Sequence, residues 1–60
     1  MAYSVFKDGD DVQSVVTYPP YLTLDRQYKI LLVDGNIVYV RDNRGMVMEF
    51  DDLYFRTSTL

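Results

Sequence analysis

Two Asp/Asn-Gly turns space three apolar stretches between residues 27 and 50, and this punctuation limits the fold more than any other feature of the chain. The stretches are residues 27–33 (QYKILLV), 36–41 (NIVYVR) and 46–50 (MVMEF), with Asp34-Gly35 and Asp42-Asn43-Arg44-Gly45 between them. Glycine supplies the positive φ that tight hairpin turns require. β-Branched and aromatic residues, which fit a pleated and half-buried surface, fill the stretches. Two adjoining hairpins make a curled three-stranded sheet, and a chain of 60 residues has room for little else around one.

Such a chain is one domain, residues 1–60. At this size only about 60% of the unfolded surface is buried on folding, so the stability margin is thin. There is no cysteine to supply a disulfide or a thiolate metal site. The compensation lies in side chains: 48% are hydrophobic and 15% aromatic, with six Tyr and three Phe. Each buried aromatic removes roughly 150–250 Å² from water, worth about 25 cal/mol per Å², which suffices to close a small barrel.

The flanking segments read as follows. Residues 2–7 alternate weakly and suit a short strand. Asp8-Gly9-Asp10-Asp11 is a turn in which Asp side chains bond nearby backbone N–H groups. Residues 12–18 suit a strand that Pro19-Pro20 ends, since proline has no N–H for a ladder. Residues 21–26 form a connecting loop or arm. Asp51-Asp52-Leu53-Tyr54 has an Asp in capping position and space for a single 3₁₀ turn. Phe55-Arg56-Thr57 returns to strand, and residues 58–60 fray.

Register decides which side chains meet, because a slip of one residue turns a whole strand over. Lys29 and Glu49 need water, which places Tyr28, Ile30, Leu32, Met48 and Phe50 inward. Three-residue loops ending in a left-handed glycine at Gly35 and Gly45 then set Leu32 opposite Asn36, Ile30 opposite Val38, Val38 opposite Phe50 and Val40 opposite Met48. The competing register, a two-residue turn at Asp34-Gly35 or Gly35-Asn36, puts Arg41 on the same face as Ile30 and Leu32. Burying an unpaired guanidinium is costly, so the first register is favoured.

Strand, long loop, hairpin, hairpin, 3₁₀ turn and closing strand is the layout of an SH3-like barrel. The expectation is an all-β fold of that kind, with about five strands and one 3₁₀ turn near the C-terminus. More narrowly, Leu22-Thr23, Tyr28, Ile30, Asp42 with Gly45, Phe50 and Phe55 follow a pattern across residues 21–55 that resembles small phage proteins of that fold. The chain departs from the pattern at Asp25-Arg26, where it usually has Gly-Lys. The resemblance implies a phage or prophage origin and an accessory role, and it carries no shared chemistry.

The chain lacks His and Cys, the commonest general base and the commonest thiol nucleophile. Glu49, Asp51 and Asp52 could form a carboxylate pair, but a solvated cap of the 3₁₀ turn is the simpler reading. Asp8-Gly9-Asp10-Asp11 lacks the later ligands of a calcium loop. No catalytic, cofactor or metal residue is therefore assigned, and the expectation is a non-enzyme. The net charge is −3 and the six basic residues are scattered, which disfavours a nucleic-acid partner, although Arg41, Arg44 and Arg56 are the residues such a module would use. Imitation of DNA would want a denser array of acids. No apolar run is long enough to span a membrane and the first residues lack the order of a signal peptide, so a soluble protein of the host cytoplasm is expected.

Two surfaces remain. Tyr18, Tyr21 and Tyr54 could line an aromatic groove of the kind that grips proline-rich peptides, though there is no Trp. The favoured register also turns Leu31, Val33, Ile37, Tyr39 and Val47 away from the interior as one apolar patch, and such patches mark contact surfaces. The patch is covered by the chain's own N-terminal segment or residues 18–24, by a second copy, or by a foreign protein. The functional expectation is a small protein-interaction module, an accessory factor that binds a host or defence protein. A nucleic-acid contact module and a homo-oligomeric assembly component are the alternatives.

Overall fold

Alternating apolar residues become five antiparallel strands in the computed structural model, which describes residues 4–59. The strands are β1 (Asp11–Ser14), β2 (Gln27–Asp34), β3 (Ile37–Arg41), β4 (Val47–Asp51) and β5 (Phe55–Thr57), with a 3₁₀ turn at Asp52–Tyr54. They form one sheet in the order β4-β3-β2-β1-β5. The sheet curls until its two edges meet, since Phe50 of β4 and Phe55 of β5 pack edge to face with ring centroids 6.1 Å apart. Every strand contributes to the interior: Val12, Tyr28, Ile30, Val38, Val40, Phe50 and Phe55 are buried, with Phe6 and Leu22 supplied by the loops. The expected all-β fold of about five strands with one 3₁₀ turn is observed. Asp51 caps that turn by accepting from the Leu53 N–H at 2.9 Å.

The second hairpin has the expected register. Val38 faces Phe50 and Val40 faces Met48, and Gly45 takes φ 79°. The first hairpin differs. Asp34 pairs with Ile37, so the turn is the two residues Gly35-Asn36 rather than a three-residue loop. Asn-rich, Gly-containing two-residue turns match the twist of paired strands. The penalty expected for this turn, an inward Arg41, is avoided by a bulge: the register shifts between Ile30 and Leu32, so that Ile30 pairs with Val40 and Val33 with Val38. One extra residue restores parity below the turn. Leu32 is therefore exposed rather than inward, and Val33 packs against the core rather than pointing out.

Two further expectations change. Residues 4–7 carry no strand, and Ala2 and Tyr3 lie outside the described residues, as does Leu60. The strand expected at 12–18 ends at Ser14. There the Ser14 hydroxyl donates to the Val16 carbonyl at 2.7 Å and accepts from the Val16 N–H at 3.2 Å. This local bonding competes with the ladder and turns the chain.

The 18–26 loop is bolted to the second hairpin. Tyr28 donates its hydroxyl to Asn43 Oδ1 at 2.6 Å and accepts from the Thr23 N–H at 2.8 Å. Asn43 returns a bond to Thr23 Oγ1 and donates its backbone N–H to the Tyr21 carbonyl. At Asp25 the backbone takes φ 67°, the left-handed region that glycine enters most easily and Asp tolerates.

Candidate functional site

Three tyrosines separated by up to 36 positions gather on one side of the barrel because two short devices aim them there. The first is the loop after β1. The Tyr18 carbonyl accepts from both Tyr21 N–H (2.7 Å) and Leu22 N–H (2.9 Å), while Tyr18 N–H donates to the Leu22 carbonyl. Leu22 is thereby buried and the Tyr18 and Tyr21 rings meet edge to face, 5.1 Å apart. The second device is the 3₁₀ turn. Its Tyr54 carbonyl accepts from Val15 N–H at 2.9 Å, which brings the Tyr54 ring 6.0 Å from that of Tyr18.

Two hollows, each of about 230 Å³, adjoin at this cluster. One is walled by Tyr18, Tyr21, Tyr54, Met48 and Phe50 and bordered by Glu49 and Asp51. The other lies between Val16, Thr17, Tyr18 and Tyr54. Tyr18 and Tyr54 belong to both, so the hollows form one groove with an aromatic ridge. Tyr18 is 43% exposed, and among the described residues no Lys or Arg lines either hollow. The expected grouping of Tyr18, Tyr21 and Tyr54 is present. Met48 and the flank of β4 were not foreseen as part of it, because only the curl of the sheet brings that edge beside the tyrosine loop.

The second surface is the outside of β2, β3 and β4. Ile37, Tyr39 and Val47 occupy it, with Leu31 and Leu32 at the bulge; Val33 does not. Leu31, Leu32 and Val47 are 40–48% exposed. Among the described residues, neither the segment from residue 4 to 10 nor residues 18–24 covers them. The N-terminal segment runs along the edge of β2, where Gly9 N–H donates to the Ile30 carbonyl and Ser4 N–H to the Gly35 carbonyl. Residues 18–24 lie at the groove. Acids interrupt this face: Glu49 stands opposite Tyr39 and Asp51 opposite Ile37. A hydrogen bond to Glu49, together with its negative charge, raises the Tyr39 phenol above its usual pKa.

Most of the remaining charges are engaged locally. Asp8 accepts from Val33 N–H and Asp10 from Lys7 N–H, while Asp11 pairs with Lys29 at 3.4 Å. Arg44 is tied to Asp42 and lies over the Tyr21 ring, 4.7 Å from its centroid. Arg56 pairs with Asp25, and Arg41 donates to the Gly45 carbonyl. The three arginines considered for nucleic acid thus face three different local partners rather than one groove. No helix among the described residues is long and apolar enough to cross a membrane. Compared with protein-family models, curated proteins and solved structures, the chain matches none.

Proposed function

We propose that this protein is a non-enzymatic interaction module that holds a segment of a partner protein in the groove at Tyr18 and Tyr54. One observation carries the reading: two adjoining hollows share a partly exposed aromatic ridge whose backbone is held by hydrogen bonds and whose rings pack edge to face. Rigid tyrosines offer large contact area with little rotamer entropy to lose. The lack of His and Cys supports a non-catalytic role. The resemblance of residues 21–55 to small phage barrels supports a phage-encoded accessory factor, acting on a host or defence protein in the host cytoplasm.

A second reading is an interface, with a partner or a second copy, on Leu31, Ile37, Tyr39 and Val47. It is favoured by their lying uncovered by residues 4–10 and 18–24. Selection of peptides from a random display library, followed by titration against variants, separates the two. Peptides that use the groove lose affinity about tenfold or more on Tyr18→Ser and keep it on the double variant Leu31→Lys, Leu32→Glu, which alters the outer face on β2, away from β4. The reverse pattern assigns binding to the outer face and removes the groove reading. Both variants change exposed or half-exposed side chains, and a far-ultraviolet melt checks that each is folded.

A further inference from the structure

The groove runs beside an open sheet edge. In an antiparallel ladder the paired residues alternate between those that exchange hydrogen bonds and those that do not. Asp42 N–H donates to the Met46 carbonyl at one end of the β3–β4 ladder and Asp52 N–H to the Asn36 carbonyl at the other. Met46, Met48, Phe50 and Asp52 therefore spend their backbone groups on β3. Val47, Glu49 and Asp51 direct theirs away from it. β4 ends the sheet, and among the described residues no group pairs with those N–H and C=O groups. Met48 and Phe50 turn to the core side of β4, whereas Glu49 and Asp51 share the outer face with Tyr39 and Ile37 and reach the hollow at its border.

From this arrangement we infer that the partner segment binds as an added strand on β4, with apolar side chains entering the tyrosine hollow and Lys or Arg alternating with them. The inference rests on the groove reading and specifies its occupant. A strand laid on the free edge places every second side chain opposite Met48 and Phe50, over Tyr18, Tyr21 and Tyr54. The intervening side chains stand opposite Glu49 and Asp51, where a cation is attracted and an acid repelled. Main-chain bonds supply affinity and the alternation supplies selectivity. A second copy's β4 is a poor occupant, because antiparallel pairing centred on Glu49 or Phe50 sets acid against acid.

The test uses the whole chain and three short synthetic peptides. One alternates Val and Lys, one alternates Val and Glu, and one repeats the first with N-methyl groups on the amides that would face β4. The Val-Lys peptide is expected to bind and to slow hydrogen exchange at the Val47, Glu49 and Asp51 amides. N-methylation should weaken it by about tenfold or more, as strand bonds are lost, and the Val-Glu peptide should not bind. Resonances of Tyr18 and Tyr54 that shift while the three amides exchange unchanged overturn strand addition and leave the groove reading intact. No binding of the Val-Lys peptide overturns the inference as well; library peptides that still require Tyr18 would then show that the groove reading stands without it.

Discussion

Asp42 is the residue on which the second hairpin turns. Its Oδ1 accepts from the N–H groups of Arg44 and Met46 at 2.8 and 3.2 Å, and its Oδ2 from Arg44 Nε and Nη2 at 3.1 and 2.8 Å. The carboxylate is buried while the guanidinium beside it stays partly in water. Burial pushes the Asp42 carboxyl up, but the bonds from Arg44 and Met46 and the charge of Arg44 outweigh it and hold the group below its usual value. A folded pKa below the unfolded one gives stability that is present above the unfolded value and lost as pH falls through the folded one. Asp42→Asn should therefore melt at a lower temperature than the wild type near neutral pH. The gap should close as pH drops below about 4, where the unfolded carboxyl begins to protonate. Melting curves across an acid series check this; acid limbs that run parallel would show that Asp42 is not the titrating group.

The two hairpins show what an element's sequence can specify. Asp42-Asn43-Arg44-Gly45 admits one economical loop, because the Asp side chain caps the turn and Gly45 closes it in the left-handed region. Asp34-Gly35-Asn36 admits two, and the choice is made elsewhere, by a bulge between Ile30 and Leu32 that no glycine announces. Core membership at Ile30, Val38, Val40 and Phe50 is the same for a three-residue turn and for the two-residue turn observed, because the bulge restores parity at Ile30. Leu32 and Val33, nearest the ambiguous turn, exchange places. The register makes a measurable difference. Leu32→Lys should change stability by no more than about 0.5 kcal/mol, as for other surface positions. Ile30→Ala should cost about 2–5 kcal/mol, as for other buried aliphatics. Urea midpoints of the two variants decide it, and a large loss at Leu32 would restore the three-residue turn. The groove was readable for a similar reason and to a similar extent. Tyr18, Tyr21 and Tyr54 sit at chain reversals marked by prolines and by an Asp cap, whereas the contribution of Met48 depends on how far the sheet curls.

A sheet of five strands whose end strands meet through side chains such as Phe50 and Phe55, with no ladder between them, leaves the β4 edge open, and the molecule must avoid joining copies along it. On β4 the outward side chains are Val47, Glu49 and Asp51, so two copies brought edge to edge in antiparallel fashion about Glu49 or Phe50 would oppose acid to acid in a protein already carrying −3. Like charges directly across a strand pair are destabilising. The same acids that would select a basic partner segment thus hold the free molecule apart from itself. Glu49→Gln with Asp51→Asn removes the repulsion while Asn keeps the capping acceptor for the Leu53 N–H. Sedimentation velocity over a concentration series should find the wild type monomeric and the double variant associating, with the Val47, Glu49 and Asp51 amides protected from exchange in the associated form. If the wild type dimerises and Tyr39→Lys with Val47→Glu abolishes it, self-contact runs through the outer face. A double variant that stays monomeric would mean that charge is not what keeps the β4 edge free.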